Sequence, residues 1–238
     1  MTLYITGAGV SKESGIPTFR GEEGYWTIGS KNYTPESMAT RAMYTAHPDE
    51  FLSWYYKRFI AYRDVEPNSV HEFLADKNLI TQNIDGLDAK AGNKHYIPIH
   101  GRVDMMARFA PMESSFAIYP APWDAVDQSN LIPSLFDVFN ISDGVPVLHE
   151  SYKPFVLLFD EYYTEEFRFN EAIERMRSAK RMVFMGTSFS VGITAIALEI
   201  ARDNRIPIEI VDPNPIQVMH ANAIYHRMKA CDYVKKIC

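Results

Sequence analysis

Cysteine is nearly absent: Cys231 and Cys238 are the only two in 238 residues. Two cysteines near one end build neither a disulfide framework nor a four-cysteine zinc site. Positive charge is also in deficit, with 24 Lys and Arg against 30 Asp and Glu and a formal net charge of -6. That balance argues against a nucleic-acid partner and mildly favours basic surfaces such as lysine-rich proteins. No apolar run approaches the roughly 18–20 residues needed to cross a bilayer, and no basic segment precedes an apolar signal core at the N-terminus. A cytoplasmic protein with no membrane partner is expected. What is present is 47% hydrophobic residues, enough to bury the core of one large domain or of one domain with an inserted module.

Short β-rich runs recur at 3–5, 79–81, 155–159, 182–185 and 208–211, with helical patterns between most of them. This alternation predicts an α/β fold, a parallel sheet covered by helices. A helical insert is expected between the first two strands. Thr34 is suited to cap a helix with Pro35 at its first position and Glu36 in its first turn, and Pro48 opens a second. On the second helix Phe51, Tyr55, Phe59 and Tyr62 recur at helical spacing, a stripe whose plain meaning is core packing. From about Asp104 to Pro154 the prolines 111, 120, 122, 133 and 146 interrupt a stretch without clear period, which reads as an irregular surface module or lid.

The first strand runs directly into "TGAGVSKESGIPTFRGEEGYW". Glycine after a strand lets backbone approach a ligand closely, and a following helix offers free N–H groups to an anion. A dinucleotide fingerprint would need a third glycine where Lys12 stands, so a phosphate-holding loop and a plain tight connection both stay open. "RMVFMGTSFSVGITAIALEIARD" repeats the pattern, with a helix starting near Ser190, as a second candidate phosphate or ribose loop. "ITQNIDGLDAKAG" puts Gln82, Asn83 and Asp85 just beyond a strand's carboxyl end, where open parallel sheets bind ligands. These groups suit a ribose or an amide, or else Asp85 simply caps an Asx-rich turn. "IPIHGRV" is strand-like and ends at His100 and Gly101. A neutral imidazole at a cleft edge can take a proton from a hydroxyl; a structural or surface histidine is the alternative.

Taken in order, "TGAGVSKESGIPTFRGEEGYW", "TQNIDGLDAKAG", "HG", "GTSFSV" and "PN" resemble the sirtuins, the NAD-dependent protein-lysine deacylase family. The resemblance spans Tyr4 to about Tyr233 and is poor between Asp104 and Lys153. It implies one catalytic domain over 1–238: a Rossmann-type parallel sheet with helices on both faces (about 1–26, 78–104 and 154–238) plus a small inserted module (about 27–77 and 105–153). NAD is the implied co-substrate. Gly7, Ala8 and Gly9 would lie against its pyrophosphate, Phe19 and Arg20 over the ribose and nicotinamide side, Gln82, Asn83 and Asp85 at the ribose and nicotinamide amide, and Gly186, Thr187, Ser188 and Asn214 on the adenosine side. His100 is then the general base, with Asn83 also catalytic. In the implied reaction nicotinamide leaves strained NAD and the acyl oxygen of a modified lysine attacks the exposed ribose carbon to form an alkylimidate; His100 then accepts a ribose hydroxyl proton so that the sugar oxygen attacks the imidate carbon, and water releases free lysine, leaving acyl-ADP-ribose. Acylated-lysine proteins or peptides are the implied partners, and a monomer is expected.

The chain departs from that family in several places. Most sirtuins carry two cysteine pairs of a zinc ribbon after the catalytic histidine. Here that span has none, and His149 is the only histidine between Gly101 and Pro154. No zinc is expected, and the lid is to be held by packing through Phe109, Phe116, Tyr119, Trp123, Phe136 and Phe139. "KPFVLLFDEYY" resembles the strand that pairs with the substrate backbone, but Asp160 replaces the usual glycine and is expected to narrow or recharge the peptide groove. Asp88 stands where the motif usually has histidine. Tyr55 and Arg58 lie three apart on one helical face, and a phenol beside a guanidinium fork suits a carboxylate. The same Tyr-x-x-Arg spacing occurs in class III sirtuins, which remove succinyl and malonyl groups, and "ATRAMYTAHP" puts small Ala39 where a roomy acyl pocket is expected. The plain alternative is a core Tyr55 and a surface Arg58. Competing functions are an NAD hydrolase with its lysine groove blocked and a non-catalytic NAD or ADP-ribose-binding module.

Overall fold

The computed structural model describes residues 1–18 and 35–238; Phe19, Arg20 and Thr34 lie outside them. A first strand, β1 (Thr2–Thr6), is followed by α1 (Pro35–Met38), α2 (Arg41–Ala46), α3 (Pro48–Tyr62), α4 (Ser69–Leu74) and β2 (Asn78–Thr81). Next come α5 (Leu87–Lys90) and β3 (Ile97–Pro98), then β4 (Gly101–Arg108), β5 (Ile118–Pro120), α6 (Leu131–Val138) and β6 (Tyr152–Val156). The C-terminal part alternates α7 (Phe169–Ser178), β7 (Arg181–Met185), α8 (Gly192–Asp203), β8 (Ile208–Val211), β9 (Ala223–His226) and α9 (Ala230–Ile237). No described helix is long and apolar enough to cross a membrane.

Among the described residues, a six-stranded sheet has the order β3-β2-β1-β7-β8-β9, and every pairing in it is parallel. The period-two alternation of strands decides its two faces. Leu3, Ile5, Met182, Phe184, Ile208 and Ile210 pack against Ala172 and Met176 of α7 and Ile193, Ala197 and Ala201 of α8. Tyr4, Leu79, Val183, Met185 and Val211 face the other way, onto Val70 and Leu74 of α4 and Cys231, Tyr233 and Val234 of α9. Helices therefore cover both faces, the Rossmann-type arrangement expected. α4 packs with this sheet, although the sequence groups it with the small module. Strand order reverses between β1 and β7, which makes the loops at their carboxyl ends the topological switch point where such sheets bind ligands.

Two expectations need correction. The run 155–159, read together with the parallel strands, belongs to a separate sheet of order β5-β4-β6. There β6 pairs antiparallel with β4, Gly101 opposite Val156 and Ala107 opposite Lys153. An apolar run carries no mark of strand direction, so composition could not separate the two sheets. The stretch 104–154 is not irregular throughout either: it carries β5, α6 and the start of β6, and three of its prolines lie at element ends. Pro120 ends β5, Pro122 precedes a 3-10 turn at Trp123–Ala125, and Pro133 sits in the first turn of α6, where a missing N–H breaks no helical bond. β9 has no counterpart among the predicted strands; it lies at the sheet's edge and is half exposed, so its apolar signal is weak.

The small module closes over a core of aromatic residues. Trp123 is 1% exposed, its indole N–H donates to the Val103 carbonyl at 2.7 Å, and its ring lies 5.7 Å from Phe59 and 4.9 Å from Phe139. Phe109 meets Tyr44 edge-on at 5.1 Å and carries the Arg41 guanidinium at 4.5 Å. Phe136 is partly buried against the same core. Phe116 and Tyr119 do not join it. Phe116 packs near Phe155 in a separate cluster, and Tyr119, on edge strand β5, is exposed. Trp123→Ala should cost about 3–5 kcal/mol in urea unfolding, while a chelator should leave the wild-type midpoint unchanged. A chelator-sensitive midpoint, or a Trp123→Ala cost below about 1 kcal/mol, would contradict a lid held by packing.

Candidate active site

The loops leaving β1 and β7 touch backbone to backbone. The Gly7 N–H donates to the Met185 carbonyl at 3.0 Å and the Gly9 N–H to the Gly186 carbonyl at 2.9 Å. A Cβ on Gly9 would stand 2.6 Å from the Gly186 Cα, and Gly186, at φ +58°, would put its own Cβ 2.7 Å from the Val10 nitrogen. Glycine is required here because two chains approach each other, a reason the sequence could not separate from approach to a ligand. Ala8 lies in this turn. Thr187 is buried and Ser188 exposed in the facing loop. Asn214 is exposed in the loop after β8, with its N–H donating to Asp212 Oδ1 at 2.8 Å. All of these stand at the carboxyl edge of the sheet.

The loop after β2 is tied to both neighbours. The Asn83 side-chain amide donates to the Gly7 carbonyl at 3.1 Å and to Ser11 Oγ at 3.2 Å. Ser11 in turn donates to Asp85 Oδ2 at 2.6 Å. Asp85 Oδ1 accepts the Leu87 N–H at the start of α5 at 2.9 Å, so this carboxylate ties the turn before α5 to Ser11. Gln82 turns its amide to the Thr6 carbonyl at 3.0 Å and to Thr187 Oγ1 at 3.2 Å, bridging the loops after β1 and β7. Asp88 is 2% exposed; burial first, and the Asp85 charge second, push its carboxyl up to about 7.

His100 sits in the turn between β3 and β4. Its Nδ1 lies 3.0 Å from the Gln82 carbonyl and its Nε2 3.1 Å from the Tyr163 hydroxyl. A carbonyl only accepts, so the hydrogen-bond pattern assigns the proton of the neutral ring to Nδ1 and leaves the Nε2 lone pair toward the Tyr163 hydroxyl. Burial pushes the imidazole down to about 4, against a smaller opposing effect of the Gln82 bond. Near neutral pH the ring is an uncharged base.

A cavity of about 670 Å³ opens beside Asn83, Asp85, Arg58, Tyr62 and Arg102. Arg58 is 8% exposed, its guanidinium 3.3 Å from the Trp54 ring centre and bonded to the Trp54 carbonyl at 3.1 Å. A surface Arg58 is therefore wrong. Tyr55, 1% exposed, packs at 4.9 Å on Phe51 and 4.8 Å on Trp54, and burial pushes its phenol up. It stands behind the cavity wall, whereas Tyr62, one turn beyond Arg58, lines the cavity. The cavity's described lining includes neither His100 nor Gln82.

The segment after β6 is bound into the small module. Ala39, buried at 3%, accepts the Phe159 N–H on its carbonyl at 2.9 Å. Asp160 caps α2: its carboxylate accepts the Arg41 N–H at 2.7 Å and the Ala42 N–H at 3.2 Å, and Thr40 accepts the third N–H, from Met43, at 3.0 Å. The expected recharging of the groove is thus offset by a helix N-terminus. Glu161 accepts Lys153 Nζ at 3.2 Å and Arg41 Nη1 at 3.0 Å. Burial lowers the Lys153 ammonium, with the Glu161 charge acting against it.

Ser11, Tyr62 and Tyr163 belong to this region and were not singled out for it by sequence reasoning. Ser11 lies inside the "GAGVSKESG" motif, which was the available signal, and Tyr62 closes the aromatic stripe of α3. Tyr163 ends the quoted "KPFVLLFDEYY" segment, which was its signal.

The Sir2 family model matches residues 7–192. A protein of Leptospira interrogans named "NAD-dependent protein deacylase" is 32% identical over 88% of this chain and 80% of its own length. "NAD-dependent protein deacylase 1" of Caldanaerobacter subterraneus is 30% identical over 99% of this chain and 92% of its own. Among solved structures, a "Sir2-p53 peptide-NAD+" complex superposes with a TM-score of 0.75 at 25% identity, covering 100% of this chain and 91% of that one. With its switch-point glycines, its Gln-Asn-x-Asp loop and its histidine at the sheet edge in the family's order, the chain belongs to the Sir2 family.

Proposed function

We propose that this protein is an NAD-dependent protein-lysine deacylase, converting NAD, an acylated lysine and water to nicotinamide, acyl-ADP-ribose and free lysine. The observation that carries the reading is a half-buried, neutral imidazole, His100, on the same sheet edge as the Asn83–Ser11–Asp85 cluster. The residues fit NAD: the switch-point edge offers the Gly7–Ala8–Gly9 turn, and the cavity of about 670 Å³ has the Asn83 amide and the Asp85 carboxylate in its wall. When bound, NAD supplies an electrophilic ribose carbon and nicotinamide as leaving group. Asn83 and Asp85 would hold the nicotinamide amide and, with Gln82, the ribose. Gly186, Thr187, Ser188 and Asn214 would face the adenosine side, and Phe19 and Arg20 would cover the ribose. His100 Nε2 would take the proton of a ribose hydroxyl, for which its neutrality is the requirement.

For the acyl group we propose an acidic chain, succinyl or malonyl. Arg58 supplies a fixed cation in the cavity wall, and a guanidinium binds both carboxylate oxygens at once. Tyr62 is the phenol beside it in the lining, with Tyr55 packed behind and small, buried Ala39 on the side of the peptide segment. The lid is proposed to do without zinc, since Trp123 fills its core, and the protein to act as a cytoplasmic monomer on acylated-lysine proteins. A second reading, hydrolysis of NAD without a lysine acceptor, is favoured by the Phe159 N–H, which bonds Ala39 rather than standing open to a peptide.

His100→Ala should retain NAD affinity within about threefold and lose deacylation by at least about 10²-fold; full activity in that variant would refute the assignment. Arg58→Met should lower kcat/KM for a succinyl-lysine peptide by about 10- to 100-fold, as expected for a lost charge-assisted bond, with less than about a threefold effect on the acetyl-lysine peptide. Equal effects on the two would count against an acidic acyl pocket.

A further inference from the structure

Tyr163 has no part in the reading above, yet it closes directly on His100. Its ring stacks on Phe169 at 5.2 Å and 10° and lies nearly parallel to the imidazole at 6.0 Å and 19°. Its hydroxyl oxygen accepts the Ile193 N–H, in the first turn of α8, at 3.2 Å and stands 3.1 Å from His100 Nε2. The order of protons along this chain is fixed by its ends. The Ile193 N–H can only donate and the Gln82 carbonyl can only accept, so the phenol donates to Nε2 and Nδ1–H donates to Gln82. Burial pushes the Tyr163 phenol up to about 12, so it keeps the proton it donates.

We propose that Tyr163 is a positioning residue for the general base: anchored to the start of α8, its hydroxyl fixes the tautomer and ring plane of His100 and yields Nε2 to the ribose hydroxyl when the co-substrate binds. The inference rests on the deacylase reading for the role of His100, but the hydrogen bond can be tested without it. The groups facing the imidazole are the Gln82 carbonyl and the Tyr163 phenol, and no charged side chain among the described residues shifts it. A donor to Nε2 favours the neutral ring, whereas the Gln82 acceptor favours the charged one. Loss of the phenol therefore raises the pH at which His100 takes up a proton.

Tyr163→Phe keeps the ring that stacks on Phe169 and removes only the hydroxyl. Two measurements on the full chain are needed: a nitrogen-15 NMR titration of the His100 imidazole without ligands, and the pH profile of kcat/KM with an acyl-lysine peptide. The expected result is a His100 titration raised by about one pH unit, the size of one hydrogen bond, with the acid limb of kcat/KM displaced upward by the same amount. At alkaline pH the rate should fall by less than about tenfold. An unshifted imidazole titration overturns the proposal whatever the activity. A shifted titration with an unmoved acid limb overturns the link to catalysis. A loss beyond about 10²-fold at every pH with no shift would make the phenol a proton carrier rather than a positioning group, and also overturns it. If wild-type protein shows no deacylation, the deacylase reading fails on its own, and the NMR titration still decides the bond.

Discussion

The contact between Gly9 and Gly186 holds the rest of the site in place. Where the sheet's strand order reverses, two loops approach so closely that a single Cβ at either glycine would collide with backbone. Everything polar at the carboxyl edge is referenced to that contact. Asn83 bonds the Gly7 carbonyl, Gln82 bridges Thr6 and Thr187, and the Gln82 carbonyl orients His100. Through Tyr163 the chain of bonds returns to Ile193 in α8, the helix that follows the Gly186 loop. The result is a closed circuit of hydrogen bonds that positions one imidazole. Such a circuit is worth more as geometry than as stability, since each bond adds only about 1 kcal/mol net.

The small module is held by a core of its own, in which Trp123 packs with Phe59 and Phe139 and to which Phe109 belongs. The lid is also coupled to the peptide segment. Asp160 caps α2, and the buried Lys153–Glu161 pair joins β6 to Arg41. A buried ion pair is weak evidence for stability, but it fixes how the segment after β6 meets the start of α2. The segment after β6 and the N-terminus of α2 are therefore positioned by one network.

Much of this was legible in the sequence because its signals are local and periodic. Short apolar runs such as those of β1 and β7, alternating with helical patterns, pointed to the sheet, Pro48 and the aromatic stripe to α3, and the glycine motifs to the loops after β1 and β7. What failed was what periodicity does not carry. Strand direction assigned 155–159 to the wrong sheet, and prolines that end elements made an ordered module look irregular. In the site, Asp160 read as an altered groove residue because its helix-capping partners, Arg41 and Ala42, are distant in sequence. Tyr55 read as a cavity residue because spacing shows a shared helical face but not which residue on it meets the cavity. Tyr163 ends the "KPFVLLFDEYY" segment, but its bond to His100 was not legible, since its hydrogen-bond partners lie more than 25 residues away in either direction.

The most direct test of the central claim is nicotinamide release by purified protein supplied with NAD alone, and then with matched acetyl-lysine and succinyl-lysine peptides. A deacylase built as described releases nicotinamide only when acyl-lysine is present, with an equal amount of acyl-ADP-ribose and the succinyl peptide the faster. Nicotinamide release at the same rate with and without peptide would contradict it and make the protein an NAD hydrolase on a Sir2 frame.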